Sequence, residues 1–165
     1  MTALVSAAPL VATTLRTNLE SALQGLGLEG TNFIVSDGMP ANFVTNDMCV
    51  IGNVNGGMHQ FVVMRAGRKP REEEFFQEVW FHTTRAGSDS TSARTAAYAA
   101  MEALENMLAD SPGLGLNVAG PNGVAEIPTL RMIVSTFQCH VTQEAALNGW
   151  RANLKCEVHV QCRLN

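Results

Sequence analysis

The clearest pattern in the chain is an alternation of apolar and polar residues over positions 150–164. The apolar or small set is Trp150, Ala152, Leu154, Cys156, Val158, Val160, Cys162 and Leu164. The residues between them are all polar. Successive side chains of a strand point to opposite faces, so this pattern predicts a long strand with one buried and one wet face, as antiparallel sheets allow. Its predicted partner is 131–141, with Ile133, Phe137, Cys139 and Val141 on one side and a turn near Asn148-Gly149.

A strand, a turn and a helix are predicted between residues 74 and 110. Residues 75–82 are rich in aromatic and β-branched side chains, which suit a half-buried strand. Gly87 and its Ser and Asp neighbours then predict a turn, with Ser90 or Asp89 capping the next helix. Helical spacing follows at Ala93, Ala97, Ala100, Met101, Leu104 and Leu108. The unit presents a small-residue packing face and no catalytic group at its junction.

The first part of the chain predicts a helix and several strands. Pro9 suits the first turn of a helix that runs to about Gly25, with an apolar side of Leu10, Thr14, Leu15, Leu19, Ala22, Leu23 and Leu26. A short strand is expected at 33–35. Segments 48–54 and 58–65 flank Asn55-Gly56-Gly57, which predicts a hairpin. The remaining stretches with many Gly, Pro or Asn residues are long loops near 37–47 and 111–129. A loop as long as the second is often functional.

The order of these elements indicates an α+β fold. We expect a single domain over 1–165, with a mostly antiparallel β-sheet and two main helices packed on one face. At 165 residues such a chain buries roughly 70% of its unfolded surface.

Composition narrows the functional classes. Charged residues make up 16% of the chain, against about 25% in an average soluble protein. An oligomer that hides part of its exterior explains this low charge, and a surface rich in Ser, Thr and Asn explains it equally well. The net charge of −4 argues against a protein that neutralises many phosphates. We expect no membrane span and no signal peptide.

Letter patterns that suggest cofactor or metal chemistry occur in the wrong context. Residues 25–30 match GxGxxG, but a dinucleotide site needs this motif after a strand and before a helix. Here it follows a helix, so it is interpreted as a helix stop. Cys139 with His140, or Cys156 with His159, could supply zinc ligands only from opposite faces of a strand. The four cysteines, which include Cys49 and Cys162, are interpreted as reduced, buried hydrophobic residues. We predict no cofactor and no metal.

Other reactive-looking segments also have simpler interpretations. The acidic run at 72–74 is interpreted as a solvated face, and the basic residues 67–71 beside it as its salt-bridging partners. The serines of 88–92 lack the GxSxG elbow of a nucleophile and are better explained as a helix cap. No catalytic residue is predicted, and the chain is not expected to be an enzyme.

The strand-turn-helix segment resembles the tail-terminator, or tail-completion, proteins of long-tailed bacteriophages. The likeness lies in Val79-Trp80-Phe81-His82-Thr83-Thr84-Arg85-Ala86-Gly87-Ser88 and in the alanine-rich helix that follows from Ala93 to Glu105. The final strand, from Trp150 to Leu164, and the N-terminal helix support it in element order. The close likeness is confined to the strand-turn-helix portion.

This resemblance implies a virion structural protein assembled in the host cytoplasm. Such a protein forms a homohexameric ring at the head-proximal end of the tail tube, stops tube polymerisation and joins the head connector or stopper protein. Genomic DNA would pass through the lumen without sequence-specific binding, which suits a modest negative charge. Ring contacts are expected on loops 37–47 and 111–129 and on sheet edges. The alternatives are a head-closure or neck adaptor protein of the same virion, or a small α+β enzyme or ligand-binding domain.

Overall fold

The computed structural model describes residues 6–38, 47–61, 71–87, 89–118, 127, 129–144 and 148–164, with backbone alone at 58–61 and 144. In chain order the elements are α1 (Ala8–Ala22), β1 (Ile34–Asp37), β2 (Met48–Phe61), β3 (Arg71–Ala86), α2 (Thr91–Asp110), β4 (Thr129–Glu144) and β5 (Gly149–Leu164). A short 3-10 turn at Leu28–Gly30 follows α1.

The strands form one sheet in the order β1-β2-β3-β5-β4. All neighbouring pairs are antiparallel except β1 with β2, which is parallel. Residues of α1 and α2 join one hydrophobic core with alternate residues of the strands, so both helices cover the same face. The predicted α+β class, with a mostly antiparallel sheet, is confirmed.

The predicted alternation of β5 is confirmed. Six consecutive even-numbered residues of this strand are buried on the helix side: Ala152, Leu154, Cys156, Val158, Val160 and Cys162. The strand pairs with β3 on one side and β4 on the other along its whole length. Because both neighbours constrain its register, no shift interrupts the pleat, and sequence parity gives the face directly.

The predicted face of β4 is wrong in its first half. The register shifts between Val134 and Thr136, so that one extra residue lies in β4 at that point. Such a bulge reverses which sequence parity faces the core. Leu130 and Met132 are therefore buried under the helices, whereas Ile133 projects from the opposite face and is exposed. Past the bulge the prediction holds, and Cys139 packs on the core.

The predicted hairpin at Asn55-Gly56-Gly57 is also wrong. These residues lie inside β2, which continues from Met48 to Phe61. Gly56 has the positive φ expected of a turn glycine, +64°, but it lies at a register shift against β3 between Asn55 and Met58. A glycine at positive φ is compatible with a bulge as well as with a turn, and here the long partner strand β3 keeps the chain extended.

Helix α2 follows its predicted face in full, and α1 follows its predicted face in part. The buried residues of α2 are Ala93, Ala97, Ala100, Met101, Leu104 and Leu108, as expected. Asp89 accepts a hydrogen bond from the Thr91 backbone N–H at 2.9 Å, so this aspartate, and not the Ser90 side chain, satisfies a free helix amide. In α1 the predicted Leu15 and Leu19 are buried, but so is Val11, which was not predicted on the apolar side. The helix ends at Ala22, and Leu26, which was predicted on its apolar side, lies beyond it and is exposed. After α1, Gly25 adopts a φ of +72°, which is consistent with a helix stop.

Candidate functional site: the open face and edges of the sheet

The residues considered as metal ligands are separated by the sheet. Cys139 packs on the helix side of β4, whereas His140 is exposed. Cys156 is buried under α2, and His159 lies on the opposite face. In the described part of the chain, no three His, Cys, Asp or Glu residues are placed to hold a metal ion. The described helices include none long and apolar enough to cross a membrane.

The cysteines behave as core residues. Cys49, Cys156 and Cys162 are buried, as predicted, and Cys139 is half-buried. Burial raises the pKa of the Cys156 thiol to about 12, with a further contribution from the charge of Glu105. Because the reactive form of cysteine is the thiolate, such a raised pKa makes this residue a poor nucleophile.

The acidic run at the start of β3 is not simply a solvated face, contrary to prediction. Glu73 is only 4% exposed. Its carboxylate accepts hydrogen bonds from the Ser6 hydroxyl at 2.5 Å and from the Ala7 backbone N–H at 2.6 Å. Glu73 therefore binds the N-terminus of α1, where free amides and the helix dipole favour an anion. Local sequence patterns do not predict this contact, because Ala7 and Glu73 are 66 positions apart in the chain.

An open groove of about 620 Å³ lies next to this contact. Its charged lining residues are Glu72, Glu73, Glu74, Arg131 and Arg163. The two signs of charge are mixed, and Glu73 is already engaged by α1. The groove therefore offers no single-sign site for an anionic or a cationic ligand.

The helix-free face of the sheet carries a network of paired charges. Lys155 Nζ lies 2.5 Å from the Glu78 carboxylate and 3.4 Å from that of Glu157. Asn55 donates a further hydrogen bond to Glu78 at 2.8 Å. Partial burial acts to raise the pKa of Glu78, but the hydrogen bonds from Lys155, Asn55 and Trp80 outweigh it and hold the pKa below its usual value. The hydrogen bond to Glu78 in turn raises the pKa of Lys155.

Two histidines extend this polar network along the same face. His159 Nε2 lies 2.6 Å from the Glu74 carboxylate, and its ring stacks on Phe76. His82 Nδ1 lies 2.6 Å from Asn153 Oδ1 on the neighbouring strand. Burial lowers the pKa of His82. Among these contacts no nucleophile is paired with a general base. The network instead holds the side chains of this face in fixed positions.

One end of the predicted contact loop 37–47 is anchored in the fold. Asp47 is buried and accepts two hydrogen bonds from the Arg85 guanidinium, at 2.7 and 2.8 Å. It also accepts from the Thr84 backbone N–H. This bidentate pair joins the start of β2 to the end of β3. Residues 39–46 of the loop lie outside the described residues.

The second predicted contact loop is described at 111–118 and at Ile127. Ile127 is buried and its N–H donates to the Leu116 carbonyl, so this part of the segment packs on the domain. Val118 is exposed. Residues 119–126 and 128 lie outside the described part of the chain, as do 62–70, which include most of the basic cluster.

Exposed apolar side chains occur on the edge strand β4 and on the part of β2 that β1 leaves uncovered, and the sequence patterns did not predict their exposure. Phe137 on β4 is 52% exposed and meets the ring of Tyr98 from α2 edge-on, with centroids 6.1 Å apart. Val54 on β2 is 43% exposed. Their exposure could not be read from periodicity, because it depends on which strands end at the edges.

With this geometry in hand, we compared the chain with known proteins. Neither a protein-family model nor a curated protein matches it. A search of solved structures finds a chain from a virion of a native gene transfer agent particle, at 17% identity and a TM-score of 0.43. The match covers 96% of this chain and 99% of that one. At this identity and TM-score the likeness carries no argument about function, which must come from the residues of the chain itself.

Proposed function

We propose that this protein is a virion structural protein that forms a ring at the head-proximal end of a phage tail tube, ends tube polymerisation and joins the tail to the head connector. The observation that carries the proposal is the resemblance of residues 79–88 and 93–105 to tail terminators. These residues include the second half of β3, a central strand, and most of α2, a helix packed on the sheet. The resemblance therefore lies in the centre of the fold.

The helix-free face supports a role beside passing DNA. A channel that lets DNA pass must not bind the DNA phosphates, and unpaired cations on the channel wall would bind them. Lys155 on this face is bonded to two carboxylates, and His159 to one. Two further cations of this face, Arg131 and Arg163, are exposed and lie beside Glu72 and Glu74 in the open groove. With a net charge of −4, the chain is suited to line a channel through which DNA passes without specific binding.

The organisation of the sheet supports assembly into a ring. A ring requires two different surfaces on each subunit, so that one surface meets the other on the next copy. The open sheet has two different edges, and we place ring contacts there and on loops 37–47 and 111–129. The six-fold symmetry of the proposal comes from the resemblance alone.

The test combines mass measurement with an assay of tube growth. We expect light scattering and negative-stain imaging of the purified chain to show closed rings. We also expect the rings to bind one end of tubes made from the tail-tube protein of the same particle and to stop their elongation. A monomer that neither forms rings nor binds tube ends would contradict the proposal. Binding to the head connector without any effect on tube growth would instead indicate a neck adaptor.

A further inference from the structure

The two edges of the sheet run in opposite directions. β2 and β5 run one way, and β3 and β4 run the other, because every neighbouring pair among these four strands is antiparallel. If a second copy is placed beside the first in the same orientation, β4 of one copy meets β2 of the next running the opposite way. The alternation of strand directions then continues across the junction, in the antiparallel mode that is the more stable pairing.

The β4 edge is long and little protected. It spans Thr129–Glu144 and pairs only with β5 among the described strands. An edge strand is usually blunted by Lys, Pro or a bulge. β4 contains neither Lys nor Pro, and its bulge between Val134 and Thr136 leaves a regular segment over 136–144. The exposed Phe137 lies at the start of that segment, on the helix side.

The β2 edge is open over its second half. β1 pairs with β2 only from Met48 to Ile51, which leaves 52–61 without a described strand on its outer side. This stretch contains no Lys, Arg, Asp, Glu or Pro, but it carries two register shifts against β3, between Ile51 and Val54 and between Asn55 and Met58. Its exposed apolar residue, Val54, is in register with Gln77, a residue of the helix side of β3. Val54 therefore projects to the same side of the sheet as Phe137.

We propose that the β4 edge of one copy pairs antiparallel with the open half of β2 on the next copy, and that Phe137 and Val54 pack on the helix side of this junction. The inference deepens the proposed ring and rests on it, because it assigns the two surfaces that a ring requires. The two edges are different, so the contact is head-to-tail and each copy keeps one free edge for a further neighbour. All helices then lie on one side of a continuous sheet.

The test uses one lysine substitution on each edge. Phe137→Lys places a charge on the β4 edge, and Val54→Lys places one on the β2 edge. Both positions are exposed in the subunit, so we expect each variant to keep wild-type circular dichroism and to assemble about 30-fold or more weakly. Leu28→Lys is the matched control, because Leu28 is 43% exposed like Val54 but lies outside the strands. It should assemble as the wild type does.

Mixing the two edge variants tests the head-to-tail arrangement. The Phe137→Lys copy keeps a good β2 edge and the Val54→Lys copy keeps a good β4 edge, so an equimolar mixture has one intact junction. We expect heterodimers and no larger species. If Val54→Lys assembled normally while Phe137→Lys did not, β4 would pair with something other than β2, and the inference would be wrong.

The remaining outcomes separate this inference from the proposed function. If both variants still formed wild-type rings, the edge pairing would be overturned while the ring itself stood. If the wild-type chain stayed monomeric at every concentration and bound no tube ends, both the ring and the edge pairing would be overturned.

Discussion

Strands β5 and β4 have the same length and share one ladder, yet only β5 follows its sequence pattern from end to end. β5 lies between two strands and keeps a single register with β3 over Gly149–Leu164. β4 lies at the edge and accommodates an extra residue near Ser135. A strand paired on both sides cannot take up an extra residue without disturbing two ladders, whereas an edge strand disturbs one. Pattern-based assignment is therefore most secure at the centre of a sheet.

The largest expected effect contrasts single deletions in these two strands. Deleting Lys155 shifts half of β5 by one position and moves its apolar residues to the polar face, so we expect no cooperative folding. Deleting Ser135 removes the extra residue of the bulge and leaves both faces of β4 unchanged. We expect this variant to fold and to lose about 1 kcal/mol, mainly from the Ser135 hydrogen bond to the Glu157 carbonyl. Urea unfolding followed by circular dichroism measures both, and equal loss of structure would contradict the contrast.

The next effect tests the helix that covers the central strands. Ala97 and Ala100 are fully buried between α2 and the sheet, with no space for a larger charged side chain. We expect Ala97→Glu or Ala100→Glu to cost more than about 4 kcal/mol and to prevent stable folding. Ala109→Glu, at an exposed position on the same helix, is the control and should cost a few tenths of a kcal/mol. Near-unchanged thermal unfolding of the first two variants would show that the buried face is assigned wrongly.

A third experiment compares apolar truncations in the two strands. Leu154 on β5 is fully buried, whereas Phe137 on β4 is half-exposed. We expect Leu154→Ala to lower the free energy of unfolding by about 2–5 kcal/mol. Phe137→Ala should lower it by about 1 kcal/mol in dilute protein, where assembly does not contribute. A larger loss for Phe137 than for Leu154 would contradict the placement of β4 at the edge.

The smallest expected effect concerns His82 of β3, which contacts Asn153 on the polar face of β5. Burial holds the pKa of His82 below its ordinary value of 6.5, so the unfolded chain binds this proton more readily than the folded one. The contribution of His82 to the free energy of unfolding is therefore complete above pH 6.5 and is lost as the pH falls below that value. The free energy of unfolding then falls by at most about 1.4 kcal/mol per pH unit. We expect His82→Gln to flatten the decline of stability between about pH 7 and about pH 5.

The control for this pH dependence is His140→Gln, at an exposed position of β4. Its unfolding profile should keep the wild-type slope. If the His82 variant kept the full slope as well, the decline would have to come from other groups.

Sequence alone was sufficient for the fold class, for α2 with its buried face, and for β5. These elements carry strong periodic patterns and are held in a single register by neighbours on the sheet or by the core. It was also sufficient to interpret the GxGxxG letters as a helix stop, because that motif needs an order of elements that the chain does not have. The resemblance to tail terminators lies in the same strongly patterned region.

Only the tertiary structure decided the remaining features. Whether Asn55-Gly56-Gly57 forms a turn or a bulge depends on the partner strand, since glycine at positive φ permits both. The role of Glu73 depends on where α1 begins in space, and the exposure of Phe137 and Val54 depends on which strands form the edges. Contacts between residues far apart in the chain are not encoded in any local period, so local patterns could not reveal these surfaces.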